Sequence, residues 1–137
     1  TSYPDMIVLD KKTNDVVAVD IKSSYITKAN TSFRGFTLGT YNGYFRNRDN
    51  PKNVMAPYTY NSFTTHLCIC FLYDREDDLS VKHITVCEKW RIASKNVGSG
   101  NTCNIGSTRS IAGLLSNEDQ SCTFPTKQAF DDFWTTR

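Results

Sequence analysis

The 137-residue chain reads as a mixed α/β layer fold of the α+β kind, and three observations predict it. Two short apolar runs, Met6-Ile7-Val8-Leu9 and Val16-Val17-Ala18-Val19-Asp20-Ile21, are joined by Asp10-Lys11-Lys12-Thr13-Asn14-Asp15, which is turn chemistry, so they read as a hairpin. A later run, Thr65-His66-Leu67-Cys68-Ile69-Cys70-Phe71-Leu72-Tyr73, is the most apolar in the chain and reads as a central strand. The strands then give way to a late helix: Phe130, Phe133 and Trp134 recur at i, i+3 and i+4 behind Thr126, a suitable N-cap. A chain of this length forms one domain, 1–137, and can bury a real core.

Between those landmarks the remaining elements follow in order. Ser23-Ser24-Tyr25-Ile26-Thr27-Lys28 is a polar, hydroxyl-rich exit from the second strand, and residues 29–35 read as loop. Phe36-Thr37-Leu38-Gly39-Thr40-Tyr41 resumes a strand-like alternation. Residues 42–52 are polar and basic, with a turn at Asn50-Pro51. An acidic turn at 74–78 leads into a strand over 79–86, and Lys89-Trp90-Arg91-Ile92-Ala93 reads as a further short strand. Gly98-Ser99-Gly100-Asn101-Thr102-Cys103-Asn104 is small and polar throughout. Its glycines would let the backbone approach a partner closely, and its Asn and Thr side chains are compact donors and acceptors. The same composition also suits an ordinary surface loop.

The chemistry concentrates at the end of the second strand. Side chains at i and i+2 of a strand share a face, so Asp20 and Lys22 point the same way and Ile21 the other. Hairpin pairing brings Asp5, in Tyr3-Pro4-Asp5, towards Asp20 across the ladder. Two carboxylates and one ammonium there suit a divalent cation such as Mg²⁺, which takes one or two protein carboxylates and fills its shell with water and phosphate. Asp5 and Asp20 would hold the metal, and Lys22 would position water or steady the charge of a phosphoryl transition state. The pattern Pro-Asp, a gap, then Asp-x-Lys is short, however, and a surface ion pair between strand neighbours explains it equally well.

Charge and cysteine usage narrow the field without deciding it. A net charge of +2 is too small to announce a nucleic-acid partner. Its distribution is uneven: Lys28, Arg34, Arg46, Arg48 and Lys52 stand against Asp49 alone, and Lys89, Arg91, Lys95 and Arg109 against Glu88. Two basic segments flanking a candidate metal site suit a polyanionic substrate, although solvated basic loops read the same way. Five cysteines without framework spacing, and no leader or membrane-spanning run, point to reduced thiols in the cytoplasm. His66, Cys68 and Cys70 share a strand face and are zinc-ligand types, but the two cysteines read as buried strand residues.

The longer blocks separate these readings. Asp20-Ile21-Lys22-Ser23-Ser24-Tyr25, Phe36-Thr37-Leu38-Gly39-Thr40-Tyr41, Phe45-Arg46-Asn47 and Gly98-Ser99-Gly100-Asn101-Thr102-Cys103-Asn104-Ile105-Gly106-Ser107 occur in that order. Together they resemble the EcoRV-like type II restriction endonucleases of the PD-(D/E)xK superfamily, from Tyr3 to about Trp134. The resemblance implies a restriction-endonuclease-like fold, with a central mixed β-sheet flanked by helices. It implies a bacterial, cytoplasmic, Mg²⁺-dependent enzyme of a restriction-modification system that acts as a homodimer on double-stranded DNA, with no membrane partner. The implied site is GATATC, cut bluntly at its centre. Asp5, Asp20 and Lys22 match the family's catalytic residues. Gly98, Gly100, Asn101, Thr102, Cys103 and Asn104 match its base-reading loop, a role that suits asparagine because it can bond bidentately to adenine. Ser23, Ser24, Asn42, Gly43 and Lys52 fall where DNA-backbone contacts are expected. Cys103 stands where the family has threonine, Gly43 replaces a serine, and Ser23 and Ser24 replace threonines. With Thr1 only four residues before Asp5, the chain reads as a core fragment lacking the family's N-terminal part. The alternatives are a DNA-binding domain without cleavage activity and a nuclease without sequence preference.

Overall fold

A computed structural model describes residues 3–46, 54–98, 103–116 and 122–137, apart from the side chains of Asn42 and Arg46. The apolar run at Met6–Leu9 forms β1, which turns back through residues 10–15 into β2, Val16–Tyr25. They pair antiparallel, with Met6 opposite Val19 and Leu9 opposite Val16, the hairpin expected from the two runs. β2 extends past its polar stretch to Tyr25 because a long partner is available. β4, Thr65–Asp74, runs parallel to it from Val17 opposite Thr65 to Tyr25 opposite Tyr73. A parallel pair needs a long crossover. Here the crossover contains β3, Thr37–Thr40, a π-helical turn at Asn42–Arg46 and a 3₁₀ turn at Tyr60–Ser62.

β5, Ser80–Glu88, pairs antiparallel with β4 across the acidic turn and completes a four-stranded mixed sheet in the order β1-β2-β4-β5. A second sheet has the order β3-β7-β6, where β6 is Ala93–Val97 and β7 is Asn104–Ser107. The predicted short strand at residues 89–93 is therefore corrected. Lys89–Ile92 is a single helical turn, α1, and the strand starts at Ala93. The chain must bend there from one sheet to the other, and a helical turn buries Lys89 and Ile92, three residues apart, on one side. A short helix, α2 (Ile111–Leu115), is capped by Ser110, whose Oγ accepts from the Gly113 N–H at 3.1 Å. It is too short for periodicity to announce it.

The late helix α3, Lys127–Thr136, forms where predicted, with Thr126 Oγ1 accepting from the Ala129 N–H at 3.1 Å. Its Phe130 and Trp134 are buried against Phe45 and Tyr41. Alternation along β4 places His66, Cys68, Cys70 and Leu72 in the core. By register, Ala18, Asp20, Lys22 and Ser24 of β2 lie on that same face. The outer face carries Ile21, Ile84 and Val86, all more than half exposed. The described residues contain no helix long and apolar enough to cross a membrane.

Candidate active site

The parallel pairing of β2 puts Asp20 and Lys22, in the middle of the strand, on the core side of the sheet, and this positions the site. Asp20 is only 8% exposed, yet it lies at the strand position next to the hairpin's first pair, where Asp5 arrives. Three contacts knit the cluster together. The Asp5 N–H donates to Asp20 Oδ1 at 3.2 Å, and the Ile21 N–H donates to Asp5 Oδ2 at 2.8 Å. Lys22 Nζ lies 2.8 Å from Asp20 Oδ2, as the shared strand face predicts. Burial alone would raise the Asp20 carboxyl, but the Lys22 hydrogen bond and charge, aided by Asp5 and Lys89, hold it below the usual carboxylate range. Asp5 itself is exposed, so the cluster has one wet side.

The sequence alone does not single out Lys89, which reads there as one basic residue of a solvated segment. In the fold it is 1% exposed. Its ammonium lies 4.2 Å from the Tyr3 ring centroid and 5.0 Å from those of Tyr44 and Tyr60, and it donates to Tyr60 Oη at 3.3 Å. Burial pushes its pKa down to about 8, with Asp20 among the groups pulling the other way. Tyr3, two residues before Asp5, shares a 2.6 Å hydrogen bond with His66 Nδ1, and its backbone carbonyl accepts from the Met55 N–H at 2.8 Å. The segment bearing Asp5 is thus pinned by a buried cation and an aromatic cluster. Only the aromatics at Tyr3, Tyr44 and Tyr60 hint at this, and sequence order does not say that they meet.

The loop at 98–104 is closed at its neck. The Gly98 N–H donates to the Asn104 carbonyl at 2.9 Å, and Val97 pairs with Ile105. A Cβ on Gly98 would lie 3.1 Å from Gly106 Cα and 3.3 Å from the Phe36 carbonyl, and one on Gly106 would lie 2.6 Å from the Asn96 carbonyl. Gly98 is therefore tightly packed against backbone, and a side chain there would force its neighbours to give by a few tenths of an ångström, independently of any approach to base edges. Cys103 is exposed and Asn104 half-buried in β7. Gly100, Asn101, Thr102 and Lys52 lie outside the described residues, as does the side chain of Asn42; Gly43 is buried. The Ser23-Ser24 pair is divided by the strand period: Ser23 is exposed on the outer face, whereas Ser24 is buried on the face of Asp20 and Lys22.

A family model for restriction endonuclease EcoRV matches residues 1–136. The chain belongs to the EcoRV restriction endonuclease family. It is 30% identical to the type II restriction enzyme EcoRV of Escherichia coli over 96% of its own length, and it spans 59% of that relative's length. In this EcoRV-family chain the Pro-Asp and Asp-x-Lys positions are the ones that the fold gathers into one hydrogen-bonded cluster. The acid pair fits a hard cation that keeps water and phosphate in its shell, since it offers only two carboxylates. The zinc alternative does not fit its surroundings: His66 is engaged by Tyr3 and stacked 4.0 Å from Tyr60, and Cys68 is buried, with its thiol pushed up to about 12. Among the described residues no group of three or more His, Cys, Asp or Glu could hold a metal ion.

Proposed function

We propose that the chain acts as a Mg²⁺-dependent, sequence-specific type II endodeoxyribonuclease, working as a homodimer on double-stranded DNA at GATATC. The observation that carries this reading is the contact set joining Asp5, Asp20 and Lys22 in the middle of β2. Asp5 and Asp20 would hold the cation, which when bound supplies charge neutralisation at the scissile phosphate. Lys22, the neighbour of Asp20, would orient the attacking water and stabilise the extra negative charge of the transition state. Keeping Asp20 ionised preserves a charged ligand, and the Lys22 contact does so despite burial. The neck at Gly98 and Gly106 would present residues 99–103 as a reading loop in the major groove.

A plasmid bearing one GATATC site, incubated with the protein in Mg²⁺ and in EDTA, tests the reading. A single linear product in Mg²⁺ alone is expected. Smearing would indicate cutting without sequence preference. An intact plasmid with a gel shift on the site would indicate binding without cleavage. Either result would displace the proposal.

A further inference from the structure

A polar cleft of about 510 Å³ opens on the three-stranded sheet, lined by residues that include Arg34, Thr37, Asn96, Gly98 and Arg109. The active-site cluster uses neither arginine. Both are exposed, and among the described residues no carboxylate forms an ion pair with either. The backbone holds them side by side. The Phe33 N–H donates to the Arg109 carbonyl at 2.9 Å, Ser32 bridges to Ser110, and the Arg34 N–H donates to the Tyr25 carbonyl at 2.9 Å. Gly35, at φ +88°, leaves room for the Arg109 stem, since a Cβ there would lie 3.4 Å from its Cγ and Nε. Tyr25 ends β2 three residues beyond Lys22, roughly 10 Å along the strand. The other end of the cleft reaches Gly98, the neck of the loop. The cleft therefore includes Arg34, whose backbone is bonded to the end of β2, and Gly98 at the neck of the loop, and two guanidinium groups without a carboxylate partner line it.

We propose that Arg34 and Arg109 form a phosphodiester clamp that grips the backbone of duplex DNA beside the base pairs met by the 98–104 loop. The inference rests on the DNA-cleaving function proposed above. Two like charges lining one cleft without a carboxylate partner favour an anion, and the guanidinium fork matches phosphate oxygens bidentately. The lining is largely polar, so it suits backbone rather than stacked bases. Arg34 also borders a second cleft, where Lys28 and Arg75 stand beside the carboxylates of Asp74 and Glu76, so the cations there have acidic neighbours that the first cleft lacks.

Fluorescence anisotropy without Mg²⁺, over a range of salt, tests the clamp on a GATATC duplex and on a scrambled duplex of equal length. In R34Q/R109Q the slope of log K against log salt should fall by about 3.6, at roughly 0.9 for each of the four phosphates that a homodimer leaves without an arginine, and by the same amount on both duplexes. Each single variant should show about half of that, and R34K/R109K should keep the wild-type slope. An unchanged slope in R34Q/R109Q overturns the clamp, and site-specific cutting by the wild type would still leave the enzymatic reading standing. A variant that loses preference for GATATC at constant slope also overturns it, because that marks base contact. A wild-type protein that binds neither duplex overturns both.

Discussion

Two lysines act on Asp20 in different ways, and the difference is testable residue by residue. Lys22 acts by contact at 2.8 Å. Its removal in K22A should leave the buried Asp20 without its ion-pair partner and remove the transition-state stabilisation proposed for Lys22. Cleavage should fall by about 100-fold or more with the fold retained; a K22A protein cutting at the wild-type rate would remove Lys22 from the mechanism. Lys89 acts from full burial. Its folded pKa, about 8, lies below the unfolded value of about 10.4. Between those values the unfolded chain holds a proton that the folded chain has released, so stability rises with pH across that window. Urea unfolding at pH 7 and pH 9.5 should show the wild type gaining about 2 kcal/mol relative to K89M. Parallel behaviour of the two proteins would mean that Lys89 titrates normally. Asp20 slopes the same way in a more acidic window: its carboxyl is held low in the fold, so its stabilising contribution is present above about pH 4 and is lost as acid protonates it.

At the scale of elements, the neck between β6 and β7 and the cap of α3 carry the sharpest expectations. Gly106→Ala places a methyl group 2.6 Å from the Asn96 carbonyl. Backbone cannot give as a flexible side chain can, so the strands must part, at a cost of about 1–3 kcal/mol. Differential scanning calorimetry should report the loss, and binding to GATATC duplex should weaken because the loop is no longer held at its base. A variant as stable as wild type would show that the neck adjusts freely. Thr126→Ala removes the side-chain acceptor for the Ala129 N–H and should cost about 1 kcal/mol in chemical denaturation. The polar stretch after Lys22 remains strand for an element-level reason: β4 supplies a parallel partner as far as Tyr73, and local polarity does not outweigh a complete ladder.

At the scale of the whole molecule, two sheets and α3 share one hydrophobic cluster, running from Tyr3 through Leu38, Leu72 and Ile105 to Trp134. Trp134 is fully buried and packs against Tyr41 and Phe133. Trp134→Ala should therefore cost about 3–5 kcal/mol and lower the melting temperature of the entire fold rather than fray α3 alone. If α3 melted separately, as judged by two transitions in circular dichroism, the cluster would not be one cooperative unit.

Most of the candidate site's geometry was legible from local pattern, because it depends on short-range periodicity and turns. The i, i+2 period of a strand joins Asp20 to Lys22, a six-residue turn returns Asp5 to them, and a 3.6-residue period together with a cap defines α3. What only the tertiary structure decided involves residues far apart in sequence. Lys89 became a buried cation because strand β5 must turn into a second sheet beside Tyr3, Tyr44 and Tyr60. Ser23 and Ser24 parted because the parallel partner β4 set which face of β2 is inside. Gly98 proved to be a packing glycine because Gly106 and Phe36 close on it. Arg34 and Arg109, 75 positions apart, were brought to one cleft by hydrogen bonds that no local propensity encodes. Periodicity states which side of an element is apolar; burial depends on what the rest of the chain lays against it.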